Sequence, residues 1–246
     1  MINKFIKTSD TGLFIGNIFD NKPHQHYAIQ INISLDNAIT ISSGKIGYRH
    51  NFLSIKPLVT HQLTCNNQKV LFILINPASK TGHIINQHFL KEGIEEFVNE
   101  WTKQIRILGS KWDVNEIDNL SFLNQYLSIT NDYFSECSNS KHKTDDRILT
   151  ALNLLEKHPN EVLSLEYISS KVFLSPSRFI HLFKDETGIT YRRMQLWIKL
   201  MRSFDLLQNT SNLTELAHAS GFSDSAHYSR TFKETFGMKP SSVLKK

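Results

Sequence analysis

Cysteine is nearly absent from this chain: Cys65 and Cys137 are the only two in 246 residues. With no CxxC pair and no Cys/His spacing of a zinc finger, a disulfide scaffold is not expected, and both thiols read as structural. The same scarcity removes a DNA-repair fusion built on zinc-held cysteine. Long apolar runs are missing too. The longest, Val70 to Ile75, has the length of a strand, far below the roughly 20 residues that cross a bilayer. Met1 to Asp10 carries Lys4 and Lys7 but no apolar core, so no signal peptide is expected there. The expectation is a reduced, cytoplasmic protein with no membrane partner. P-loop, dinucleotide, HExxH and nucleophile-elbow patterns do not occur, which leaves no motif-level ground for an enzyme.

What is present points elsewhere. Hydrophobic residues make up 40% of the chain and aromatic residues 11%, with 16 Phe. That is ample for packed cores and argues against disorder. A formal net charge of +5 suits a polyanionic partner without requiring one.

Two periods divide the chain. In the first eighty residues Phe14-Ile15, Ala28 to Ile33, Ala38 to Ile41 and Val70 to Ile75 are short apolar or alternating runs. Asp20-Asn21, Asp36-Asn37, Ser42-Ser43-Gly44 and Asn66-Asn67 punctuate them, which predicts an antiparallel sandwich or small barrel. From about Gly93 the period lengthens. Ile94, Phe97, Val98, Trp101, Ile105 and Leu108 predict an amphipathic helix, and Val114 to Ile129 a second. Ser135 to Lys143 is polar and unpatterned, a linker. Beyond it Asp145 or Asp146 can cap a helix that stops near His158-Pro159, and seven helices fit between Asp145 and Lys246. The fold class is therefore α+β: an antiparallel β domain with flanking helices over residues 1–135, then an all-α domain over residues 144–246.

That second domain contains a repeat. Leu165, Ile168, Ser169, Leu174, Ser175, Phe183, Lys184 and Gly188 find counterparts in Leu213, Leu216, Ala217, Phe222, Ser223, Phe232, Lys233 and Gly237. Each copy reads as a short amphipathic helix, a tight turn and a second capped helix, with Ser175-Pro176 or Asp224 opening the latter. Small Ser169 and Ala217 let the first helix pack closely on the second. The second helix buries Phe179, Leu182 and Phe183, or Tyr228 and Phe232. Its other face offers Ser177, Arg178, His181 and Lys184, or Ser225, His227, Arg230 and Lys233, side chains that suit base edges and phosphates in a major groove. Tyr191 to Gln208 predicts a long helix between the copies, about 27 Å at 1.5 Å per residue. From Lys171 onward twelve Lys and Arg face six acids, a local +6 against +5 for the whole chain. The basic excess lies on the repeat.

LSPSRFIHLFKDETGIT (Leu174 to Thr190) and ELAHASGFSDSAHYSRTFKETFGMKP (Glu215 to Pro240) resemble the two signature stretches of the AraC family of transcription regulators, over Asp145 to Ser242. The resemblance implies a double helix-turn-helix that binds double-stranded DNA. It assigns base reading to Ser177, Ile180 and His181 in the first copy, and to Ser225, Ala226, His227, Ser229 and Arg230 in the second. Ile180 and Ala226 donate no hydrogen bond, so reading there would use thymine methyls. Phe173 stands where the family often has Gly, Val243-Leu244 where Tyr-Arg is usual, and Lys199 and Ser203 where Arg and Ala are common. The family also implies an RNA polymerase contact if the chain activates.

Pro23 to Ser79 resembles the cupin-like regulatory domains attached to many such regulators, through HQH (His24 to His26), PLVTH (Pro57 to His61) and the strand pattern. The spacing of His24, His26 and Gln30, with His61 later, mimics a cupin metal set, but Gln30 replaces its carboxylate. The expectation is therefore a small organic effector near His24, His26, Tyr27, Gln30 and His61, with no metal and no cofactor. Tyr27, Tyr48, His50, Phe52 and Phe72 either line that pocket or fill the core. A cupin-type metalloenzyme fused to a DNA-binding module is the competing reading. The apolar surplus of the Val114 to Ile129 helix, in a region that pairs subunits in the family, predicts a homodimer.

Overall fold

Alternation with period two sets the β half. In a computed structural model, which describes residues 2–8, 10–17, 21–134, 145–158, 161–207 and 212–242, strand β3 (Ile29–Ser34) turns Ile29, Ile31 and Ile33 to one side. Gln30, Asn32 and Ser34 turn to the other, and all six are buried. The remaining strands are β1 (Ile2–Lys7), β2 (Thr11–Asn17), β4 (Ile39–Ser43), β5 (Ile46–His50), β6 (Phe52–Ile55), β7 (Gln62–Thr64), β8 (Lys69–Ile75) and β9 (Ile94–Glu96). They form a six-stranded sheet in the order β1-β2-β8-β3-β6-β9 and a three-stranded sheet β5-β4-β7. All pairings are antiparallel; Phe14 lies opposite Phe72 and Ile31 opposite Ile73.

One face of the large sheet is covered by two helices. Helix α1 (Lys80–Ile84) and a π turn (Ile85–Phe89) come first; α2 (Glu100–Asp113) and α3 (Asn119–Tyr133) then supply Trp101, Ile105, Leu108, Trp112, Phe122 and Tyr126 to one core with Leu13, Ile15, Ile31, Leu71 and Ile73. Trp112 stacks on Phe122 at 4.0 Å and 15°, and the Trp101 indole donates to Thr130 Oγ1 at 3.0 Å. Each fully buried side chain of this size contributes about 1.5–3 kcal/mol.

Both helix starts differ from the expectation. Asn99 accepts from Thr102 N–H while the Thr102 side chain bonds Asn99 in return, a capping box that starts α2 at Glu100. Ile94 thus belongs to edge strand β9, and Phe97 and Val98 to the link. Asp118 caps α3, so Val114 lies outside it and the helix runs on to Tyr133. Phe52 packs in the helix-side core, not on the polar face of β3.

The chain divides into two compact units, Met1–Ser138 with Lys233–Val243 and Asn139–Phe232 with Leu244–Lys246. Among the described residues after the linker there are six α-helices and a 3-10 turn (Pro240–Ser242): α4 (Asp146–Lys157), α5 (Leu165–Lys171), α6 (Pro176–Thr187), α7 (Tyr191–Leu207), α8 (Leu213–Ala219) and α9 (Ser225–Phe236). No strand occurs among them. Helix α7 serves both copies of the repeat. At one end the Tyr191 ring lies 5.4 Å from Phe179 and 5.6 Å from Phe183. At the other, Ser203 accepts from the Tyr228 hydroxyl at 3.2 Å and Phe204 meets Phe232 at 5.4 Å. The expected linker, with Cys137, and the Val243-Leu244 departure lie outside the described residues.

Candidate functional site

The two repeat copies close their turns in the same way. Leu174 N–H donates to Ser169 O at 3.0 Å, and Phe222 N–H to Ala217 O at 2.9 Å. Ser169 and Ala217 are both buried, as close packing of two short helices requires. Ser175 accepts from Arg178 N–H with Pro176 at the first helical position; Asp224 accepts from His227 N–H at 2.7 Å. Gly188 and Gly237, at φ 79° and 69°, follow the second helices, where only a residue without Cβ takes the left-handed turn freely.

Each second helix has one buried face and one open one. Phe179 and Phe183, and Tyr228 and Phe232, are fully buried. On the open face of α6, Ser177, Arg178, Ile180, His181 and Lys184 are all exposed. On α9, Ala226, Arg230 and Lys233 are exposed, while Ser225, His227 and Ser229 are half-buried. His227 is steered by the Phe222 ring, edge-on at 5.3 Å. Lys199 is turned inward, donating to Gly221 O at 2.6 Å and lying over Phe222. Its ammonium is therefore committed to holding the second turn.

In the β unit, His24, His26 and His61 come together. His24 and His61 exchange backbone hydrogen bonds of 2.9 and 2.8 Å, and their rings lie 4.2 Å apart, with His26 at 5.1 Å from His61. All three are buried. Burial, reinforced by the neighbouring imidazoles, pushes His24 down to about 4 and His61 to about 2; burial also lowers His26. The set is neutral at physiological pH. From it a polar line runs into the polar face of β3: His26 Nε2 to Gln30 Oε1 at 2.7 Å, Gln30 Nε2 to Asn32 Oδ1 at 2.6 Å, Asn32 Nδ2 to Leu53 O at 3.2 Å. Tyr27 is engaged elsewhere, its hydroxyl donating to Asn76 Oδ1 at 3.0 Å.

Residues 168–246 match the model of a helix-turn-helix domain. The activator RhaS of Escherichia fergusonii is 26% identical over 173 residues, covering 68% of this chain and 60% of RhaS. LumQ of Photobacterium leiognathi, named as a probable transcriptional regulator, is 28% identical over 242 residues, covering 88% of this chain and 89% of LumQ. The C-terminal residues thus carry a helix-turn-helix domain and are similar to these transcriptional regulators. The chain spans about three fifths of the length of the RhaS proteins it matches. Apo ToxT of Vibrio cholerae, a single-residue variant, shares the fold at a TM-score of 0.62 and 15% identity, over 98% of both chains. No helix among the described residues is long and apolar enough to cross a membrane.

Sequence reasoning brought His24, His26, Gln30 and His61 together but missed Asn32. The signal was available: Asn32 lies two residues after Gln30 on the same strand and so on the same face. Also missed was the inward role of Lys199, which spacing alone does not reveal.

Proposed function

We propose that this chain is a sequence-specific, DNA-binding transcription regulator whose activity is set by a small-molecule effector in its N-terminal unit. The observation that carries the reading is the pair of helix-turn-helix copies with matching turn closure, each presenting an open face with basic residues. Ser177, Arg178, Ile180, His181 and Lys184 on α6, and Ser225, Ala226, His227, Ser229, Arg230 and Lys233 on α9, form the DNA-contacting set. Arg178, Lys184 and Lys233 serve chiefly phosphates; Arg230 and His181 serve base edges. Helix α7, about 26 Å long at 1.5 Å per residue, spaces the two reading helices for neighbouring major-groove segments.

The DNA-binding domain is assigned to residues 144–246 and the effector domain to residues 1–135. The effector site is placed at His24, His26, Tyr27, Gln30 and His61. Support comes from the buried polar line there and from ToxT, whose shared fold includes a structure described as bound to an unsaturated fatty acid. Exposed Leu120 and Leu127 on α3, at 66% and 37%, favour a homodimer. The reading places the protein in the cytoplasm; if it activates, RNA polymerase is a further partner. Mobility-shift titration of fragment 144–246 and of fragment 1–135, against the chain's own upstream DNA, tests the assignment. The first should shift that DNA; a shift by fragment 1–135 alone would overturn it.

A further inference from the structure

Phe173 is the most exposed large hydrophobic side chain among the described residues, at 95%. Its backbone lies in the left-handed region, at φ 57°, where a Cβ is unfavourable. Of the five described non-glycine residues with positive φ, three are Asn, which tolerates the conformation. Phe173 is the one aromatic among them. The second helix-turn-helix copy has Gly221 at the matching position, φ 86°, so the turn itself asks for no ring. Folding rewards neither the conformation nor the exposure. A residue held against its backbone preference, with its side chain in solvent, points to a contact made only on binding.

The place of the turn names the occupant. Phe173 stands two residues before Ser175, the N-cap of α6, and four before Ser177 on its open face. Four residues reach at most about 14 Å, close to the roughly 12 Å width of the major groove that a recognition helix enters. The N-terminal residues of such a helix are the ones that meet base edges, so the ring is carried at the rim of the groove. Lys171, Arg178 and Lys184 are exposed on either side of it in sequence. Lys171 Nζ lies over the ring of Tyr167, the other exposed aromatic of this copy, 5.2 Å from its centre. A protein-docking surface has an apolar centre inside a polar rim; a single ring among cations fits a polyanion instead.

We propose that Phe173 contacts DNA directly, its ring packing on the C5-methyl group of a thymine at one end of the segment read by α6. Gly221 gives the segment read by α9 no such contact. The inference rests on the DNA-binding reading and deepens it, adding a position that the open faces of the two helices do not include. The thymine methyl is the apolar group that a duplex presents in its major groove, and a Phe ring is a suitable partner for it. Such a contact carries no charge. It therefore adds affinity and base preference without adding to the salt dependence.

The test lets the full chain select its operator from a pool of random duplexes, with wild type, Phe173→Gly and Phe173→Ala in parallel. Wild type should enrich thymine at one end position of one segment. Both variants should lose that preference and keep every other. Phe173→Ala retains a Cβ and hence a stiff turn, so a loss in Phe173→Gly alone would mark turn flexibility as the cause and overturn the contact. On the selected operator, deoxyuridine in place of that thymine removes only the methyl group. It should weaken wild type about fourfold, the worth of one buried methyl, and leave both variants unchanged. Each variant should bind the wild-type operator about fivefold or more weakly, with the salt slope of wild type. Equal affinities, or an equal deoxyuridine effect in all three chains, remove the proposal and leave the ring to a protein partner or to none. If wild type enriches no sequence, the DNA-binding reading falls and this inference with it; enrichment with identical preferences in all three chains removes this inference alone.

Discussion

Phe173 and Gly221 occupy the same position in the two helix-turn-helix turns, and both have left-handed backbone, at φ 57° and 86°. Glycine takes that conformation freely; a residue with Cβ gives up roughly 1–2 kcal/mol to hold it. Phe173 recovers nothing by burial, being 95% exposed. Phe173→Gly should therefore stabilise the protein by about 0.5–1 kcal/mol, once the greater chain entropy of glycine is subtracted. Denaturant unfolding measures it, and a loss of stability would mean that the ring has a contact in solution.

On the proposed reading, readout divides between two neighbours on α9. Arg230→Ala should cost about 1–3 kcal/mol and relax preference at one base position. Lys233→Ala should weaken binding to all sequences and lower the salt slope by about one unit. Titrations against an operator and its single-base variants at several salt concentrations separate the two. Equal, sequence-blind losses would refute the division.

Asp145 gives a pH signature. It caps α4, accepting from Arg147 N–H at 2.9 Å and pairing with that guanidinium at 2.7 Å. The Arg147 guanidinium holds its carboxyl down to about 2, against an ordinary 3.8. A folded value below the unfolded one means the contribution is complete above about pH 4–5 and fades as pH falls toward 2. The stability gap between wild type and Asp145→Asn should be constant at neutral pH and close in that acid window. Thermal unfolding against pH reads it; the pair is solvent-accessible, so the gap is small.

Thr130→Val leaves the buried Trp101 indole N–H without its acceptor. The expected loss is about 1–3 kcal/mol with shape preserved, measured by denaturation of the full chain. A neutral outcome would show that the indole finds another acceptor.

The repeat was legible because each of its helices announces itself locally, through Ser175-Pro176, Asp224 and the glycines at 188 and 237. The buried strands β3 and β8 were legible as apolar runs. Strands β1 and β5 were not, since INKFIK and IGYRH alternate too weakly to stand out from loops. The misplaced start of α2 has a definite cause: Ile94, Phe97, Val98 and Trp101 fall at helical spacing, while the chain is a strand edge and a link until Asn99 caps. At the histidine set, spacing identified the side chains. The Lys22, Ala28 and Val59 carbonyls that the three rings meet are backbone groups, and backbone positions leave no mark in residue types.

Because α7 closes Phe179 and Phe183 at one end and Tyr228 and Phe232 at the other, the proposed DNA reading makes its length part of the binding specificity. One inserted residue would turn everything beyond it by about 100° and advance it 1.5 Å, swinging one reading face off the groove that the other still occupies. Seven inserted residues nearly restore the angle but add about 10.5 Å, close to three base pairs of DNA rise. On that reading, a change in the length of this helix would change the spacing of the half-sites it recognises.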